Sequence, residues 1–152
     1  MSNTMKRRIY VASSWRNAYQ PDVVGSLRAA GHEVYDFRNP PGRSGFGWEE
    51  LAPDWQTWSN EAYVQHLQHP IAQAGFASDF NAMKWADTCV LVLPSGRSAH
   101  LEGGYFADRD GKSLYILQVE PQEPELMYLM ADRICLGVDE LVGALAGETN
   151  RG

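Results

Sequence analysis

Ile9-Tyr10-Val11-Ala12 is a short β-branched and aromatic run that gives way to the polar Ser13-Ser14-Trp15-Arg16-Asn17. Val23, Val24, Leu27 and Ala30 then recur at helical spacing, and Glu33-Val34-Tyr35-Asp36-Phe37 alternates. This is strand, loop, helix and strand. Pro21 suits the first helical turn and Gly31 the stop. A unit of this kind sets two parallel strands side by side through a right-handed crossover.

The alternation continues downstream. Thr88-Cys89-Val90-Leu91-Val92-Leu93, bounded by Pro94-Ser95-Gly96, reads as a strand buried on both faces. A helix is expected over residues 100–110, ended by Gly111, then a fourth strand over 114–117 and a short helix over 125–131. A fifth strand over 133–136, a closing helix over 138–145 and a tail over 147–152 complete the chain. Between strands 2 and 3 lies a long loop over 38–57, then helices over 59–67 and 71–85, with Phe76, Phe80 and Met83 on one face of the second. Five alternations predict a single domain over 1–152. It is a flavodoxin-like, doubly wound α/β fold with a five-stranded parallel sheet of order 2-1-3-4-5 and helices on both faces. Ligands of such sheets bind beyond strands 1 and 3, where strand order reverses. That rule selects residues 13–17 and 94–102 before any motif is considered.

Composition narrows the function. The 152 residues are 44% apolar and 21% charged, with a net charge of −6. Only Lys6-Arg7-Arg8 clusters positive charge, so no nucleic-acid face is expected, whereas a small anion needs only one or two donors. No apolar run reaches the roughly 18 residues of a membrane span, and the first eight residues lack the apolar centre of a signal peptide. Cys89 and Cys135 fall in apolar stretches and read as buried hydrophobes rather than a bridge, which suits a reducing cytoplasm. His32, His66, His69 and His100 lack metal-ligand spacing, and no P-loop, GxGxxG or GxSxG motif occurs. Neither metal nor cofactor is expected.

The richest chemistry lies in Pro94-Ser95-Gly96-Arg97-Ser98-Ala99-His100-Leu101-Glu102-Gly103-Gly104-Tyr105. A strand ends there and a helix opens, where free N–H groups favour anions. Ser95, Gly96, Arg97 and Ser98 supply donors, and Glu102 is followed by two helix-weakening glycines. Glu102 has two readings: a first-turn acid matched to the helix dipole, or a functional carboxylate. Across the switch point stand Ser13, Ser14 and Arg16, with Tyr10 behind them either in the cleft or in the core. Asp79 lies in a mostly apolar helical band with Gly75, Phe76 and Met83. The loop after strand 2 carries Phe46, Trp48, Trp55 and Trp58, whose faces pack on protein or stack on a base. Packing is expected for at least two of the three Trp, with Trp48 the choice for a lid.

Taken together, Tyr10 to Arg16, Asp79 and Ser98 to Tyr105 resemble the nucleoside 2-deoxyribosyltransferase superfamily, which includes nucleoside 5′-monophosphate N-glycosidases. The resemblance implies a homodimer or higher oligomer acting on a nucleotide or nucleoside, with Glu102 as the nucleophile toward the anomeric carbon. It further implies that Tyr10 orients that carboxylate and that Asp79 stands near base or sugar. Ser14 and Arg16 match the hydrolase branch, where they serve the 5′-phosphate. Arg97 and Ser98 would be further phosphate donors, within the subunit or across a dimer interface. Two features depart from the family: the loop is longer and richer in Trp, and the acid that transferases place shortly before the nucleophile is missing. These departures favour hydrolysis over base exchange. The competing readings are a deoxyribosyltransferase, an NAD glycohydrolase of the TIR type and a non-catalytic nucleotide sensor.

Overall fold

The computed structural model describes residues 5–147, so the expected tail beyond them lies outside the described residues. Strands β1 (Arg8–Ala12), β2 (Glu33–Asp36), β3 (Thr88–Val92), β4 (Ser113–Leu117) and β5 (Arg133–Cys135) form one parallel sheet of order β2-β1-β3-β4-β5. Helix α1 (Gln20–Ala29) follows β1, α2 (Asn60–His66) and α3 (Pro70–Trp85) follow β2, α4 (Arg97–Ala107) follows β3 and α5 (Val138–Gly147) follows β5. The expected fold class and strand order are those observed.

Side-chain alternation along the strands makes two cores from one sheet. Tyr10, Ala12, Cys89, Leu91, Leu114 and Ile116 face one way and pack on Ala82 and Met83 of α3 and Ala99 and Phe106 of α4. Ile9, Val11, Val90, Val92, Tyr115 and Leu117 face the other way, onto Val23, Val24 and Leu27 of α1 and Leu141 and Leu145 of α5. Each Val, Leu, Ile, Phe or Met among them contributes roughly 1.5–3 kcal/mol when fully buried, which is why β3 and β4 are apolar at nearly every position. Cys89 and Cys135 belong to opposite cores and are not bridged to each other.

Several expected boundaries shift. Helix α4 starts at Arg97, not residue 100, because Gly96 in extended conformation caps it and the polar Arg97 and Ser98 enter its first turn. β2 stops at Asp36 and β5 at Cys135, leaving Phe37 and Leu136 outside the sheet. Residues 125–131 hold only a 3₁₀ turn, Leu126–Met130. On α3 the expected face is wrong for Phe76, which is 62% exposed and stacks on Phe80, while Ala72, Gly75, Ala82 and Met83 are buried. The reason is Gly75: Phe46 of the long loop sits on it, and a Cβ there would stand 3.1 Å from that ring. Arg7 is fully buried, its guanidinium donating to Leu145 O and Thr88 Oγ1, so it contributes nothing to a basic surface.

The switch point is stitched by one amide. Asn17 is buried, and its Nδ2 donates to Val92 O and Pro94 O, both at 3.0 Å, tying the β1 loop to the β3 loop. Its Oδ1 accepts from Tyr19 N at 2.8 Å and Gln20 N at 3.0 Å, where α1 begins. Asn17→Ala leaves buried carbonyls and amides unpaired, at a cost of roughly 3 kcal/mol. Urea denaturation should therefore show a lower midpoint with an unchanged slope. A midpoint equal to that of the parent would mean that these four bonds contribute nothing net.

Candidate active site

Beyond the carboxyl ends of β1 and β3 opens a cavity of about 670 Å³, a volume suited to a small organic ligand. Its walls come from four segments: Ser13, Ser14 and Trp15 after β1; Phe37 and residues 45–49 after β2; Asp79 on α3; and Gly96, Arg97, Ser98, Ala99 and Glu102 at the start of α4. The earlier start of α4 makes Glu102 its sixth residue, in the second turn, facing the cavity. A carboxylate so placed is past the free N–H groups, so the helix-dipole reading of Glu102 does not hold.

Glu102 is held instead by Tyr10. The Tyr10 side chain is completely buried under the cavity floor, and its hydroxyl donates a short hydrogen bond to Glu102 Oε2. Glu102 Oε1 has no protein partner among the described residues. Burial raises the Glu102 carboxyl to about 7; the Tyr10 hydrogen bond pulls it down and the charge of Asp79 pushes it up. Asp79, on the opposite wall, is also raised by burial, against a 2.8 Å hydrogen bond from Tyr35 Oη to its Oδ1. Two carboxyls with lifted pKa values thus share one cavity, a pattern that recurs where acid and base roles are divided.

Among the expected site residues, Ser13, Ser14, Trp48, Asp79, Gly96, Arg97, Ser98 and Glu102 line this one cavity. Arg97 stands at the N-terminus of α4 with its guanidinium unpaired among the described residues. Arg16 and Ser95 are not brought in: both line an adjoining hollow of about 430 Å³ that shares Ser14 with the cavity. The turn closed by Asn17 N and Ser14 O carries Arg16 outward. Ser95 Oγ is occupied as a fastener, donating to Val92 O at 2.6 Å and accepting from Ser14 N at 3.1 Å.

The aromatic loop packs on protein, and Trp48 is also brought to the cavity. Trp48 meets Phe46, Trp58 and Tyr63 edge-on at 5.0, 6.0 and 6.2 Å, and Trp58 stacks on His66 at 3.9 Å. Trp48 also lines the cavity, beside Glu49. Gly45 crosses the face of Trp15, where a Cβ would come within 2.6 Å of the indole. Trp15 in turn stands edge-on to Phe37 at 5.2 Å, with the Arg38 guanidinium 5.7 Å from its ring centre.

Sequence reasoning missed Tyr35, Arg38 and Asn17. Arg38 Nη2 donates to the carbonyls of Ser14, Trp15 and Asn17 at 3.0, 2.8 and 3.0 Å and so shapes the first loop from behind. Tyr35 was findable, because a parallel register that sets it beside Tyr10 follows from aligning the two aromatic strands. Among the described residues no group of three or more His, Cys, Asp or Glu is placed to hold a metal ion, and no helix is long and apolar enough to cross a membrane.

No protein-family model matches the sequence, and no curated protein matches it. The fold does match. A solved 2-deoxyribosyltransferase from the psychrotolerant bacterium Bacillus psychrosaccharolyticus superposes with a TM-score of 0.62 at 18% identity. The match covers 93% of this chain and 97% of that one. The likeness establishes the shared fold over nearly the whole length.

The Tyr10–Glu102 pair makes a signed prediction. Carboxyl ¹³C shifts should show Glu102 half-ionised near pH 7, as its raised value of about 7 requires. A phenol that donates to the carboxylate favours the charged form. Tyr10→Phe should therefore move that midpoint upward, and a midpoint that stays or falls would mean that the hydroxyl does not act on Glu102.

Proposed function

We propose that this chain is a nucleotide N-glycosidase of the nucleoside 2-deoxyribosyltransferase superfamily, cleaving a (deoxy)nucleoside monophosphate to free base and pentose phosphate. The observation that carries the reading is Glu102: a carboxylate with one oxygen tethered by Tyr10 and the other free, facing a cavity that it shares with Asp79. Glu102 Oε1 attacks the anomeric carbon as the bond to the base nitrogen breaks. The bonding electrons leave with the base, which takes a proton from Asp79. The resulting glycosyl ester is opened by water, whose oxygen joins the anomeric carbon and whose proton returns to Asp79. Both carboxyls are thereby restored, as in retaining glycosidases.

Arg97 and Ser98 at the N-terminus of α4 supply the contact for a phosphate, with Ser13 and Ser14 opposite. Arg16 extends that donor set from the adjoining hollow. Trp48 and Trp15 offer aromatic faces to the base, Trp48 as the lid. The 3₁₀ turn that carries the exposed Leu126, Met127 and Leu129 suits a homodimer or higher oligomer. A second reading, deoxyribosyl transfer to another base, has the shared fold in its favour. Against it, Ser95, Gly96, Arg97 and Ser98 stand where transferases carry an acid.

The deciding experiment is chromatography of free base released from a panel of nucleoside monophosphates and nucleosides, with and without a second base. Hydrolysis is expected, with pentose phosphate as co-product. A new nucleoside formed from the second base would establish transfer, and tight binding without turnover would make the chain a sensor. Glu102→Ala should lose at least about a thousandfold in rate while remaining folded. Near-parental activity in that variant would remove Glu102 from the chemistry. Arg97→Ala should raise KM for the nucleotide about tenfold and leave the matching nucleoside unchanged, since a charge-assisted bond is lost. Equal effects on both substrates would take Arg97 out of the phosphate site.

A further inference from the structure

Tyr35 touches no substrate in the scheme above, yet its geometry duplicates that of Tyr10. The two are partners in the register between β1 and β2, and their rings stack at 5.4 Å with an interplanar angle of 14°. Tyr10 sends its hydroxyl to Glu102 on α4, and Tyr35 sends its own to Asp79 on α3. Ser78 Oγ lies 2.9 Å from Tyr35 Oη. A phenol has one hydrogen to give. With that hydrogen directed to Asp79 Oδ1, the Ser78 hydroxyl must be the donor to Tyr35. The result is a chain from Ser78 through Tyr35 to Asp79, in which each bond strengthens the next. Asp79 Oδ2 has no protein partner among the described residues, just as Glu102 Oε1 has none.

We infer that Tyr35 is the positioning residue for Asp79: it fastens Oδ1 so that Oδ2 is presented to the leaving base, as Tyr10 fastens Glu102 for attack. The inference rests on the reading of Asp79 as the proton donor in glycosidic cleavage. The stacked rings make the two fastenings one rigid piece, built from neighbouring strands, that sets the spacing of both carboxyls. Asp79 is faced by Tyr10 from β1, Tyr35 from β2, Glu102 and Arg97 from α4, and Arg43 and Glu49 from the loop. Burial lifts its carboxyl, and the Tyr35 hydrogen bond and the charge of Arg43 oppose that lift. Removing the hydroxyl therefore lets Asp79 keep its proton to higher pH.

The test is steady-state release of free base from a nucleoside monophosphate by the parent, Tyr35→Phe, Asp79→Asn and the double variant, from about pH 5 to 10. Phenylalanine keeps the ring and the stack. Tyr35→Phe should lose about tenfold in kcat with KM unchanged. The limb of the pH profile that Asp79 sets should move to higher pH, and the double variant should be no slower than Asp79→Asn alone. An unmoved limb, or losses that multiply in the double variant, would reduce Tyr35 to a packing residue. If Tyr35→Phe does not fold, Ser78→Ala must shift the same limb upward by a smaller amount, because it weakens the Tyr35 donor; no shift overturns the inference. Failure of the parent to release base from any nucleotide or nucleoside would overturn the reaction assigned here and this inference with it. Turnover by the parent with an unaltered Tyr35→Phe overturns this inference alone.

Discussion

A phenol hydroxyl buried at the centre of an apolar sheet face must find an acceptor, and that requirement organises this molecule. Tyr10 is wholly buried among residues of one core layer, where an unpaired hydroxyl costs on the order of 1–3 kcal/mol. The partner it finds is Glu102, which has to turn inward from α4 to serve it. The carboxylate gives up solvent and is lifted toward neutrality; the tyrosine gains an acceptor stronger than any neutral group. Satisfying the core and arming the cavity are thus one event, and helix α4 cannot rotate or slide along the sheet without breaking it.

Much of this was legible in the sequence because parallel sheets advertise themselves. The continuous apolar run at β3 and the alternation at β1 and β2 located the strands, and strand order then located the cavity. Glu102, Asp79, Ser13, Ser14, Trp48 and residues 96–98 could be assembled from that rule together with the family resemblance. What escaped was set by contacts distant in sequence. The start of α4 depended on the extended backbone of Gly96, which no local propensity reveals. Phe76 looked like a core residue by spacing, but a loop some thirty positions earlier in the chain took its place. Arg16 and Ser95 had the right chemistry at the right lips, and a tight turn and a hydrogen bond to Val92 directed them elsewhere.

The residues that reasoning from motifs overlooked share a trait: they act on other protein groups. Asn17 joins two loops through their carbonyls, Arg38 gathers three carbonyls of the first loop, and Tyr35 holds a carboxylate. Motifs are sequences of groups that meet ligands, whereas these side chains meet backbone and one another, where pairing follows from topology. The register that places Tyr35 beside Tyr10 is the clearest instance, since a shift of one residue would send the ring to the opposite core.

Gly45 and Gly75 seat the long loop by what they lack. One leaves room for the indole of Trp15, the other for the ring of Phe46, and both aromatic residues are cavity walls. Gly45 is itself part of the wall, but Gly75 is not, and a methyl group added there would stand behind Phe46 and press it inward. The internal width of the site is therefore adjustable from its exterior. One hydrogen atom of Gly75 acts as a spacer whose replacement changes which ring systems enter, while every residue that lines the cavity stays the same.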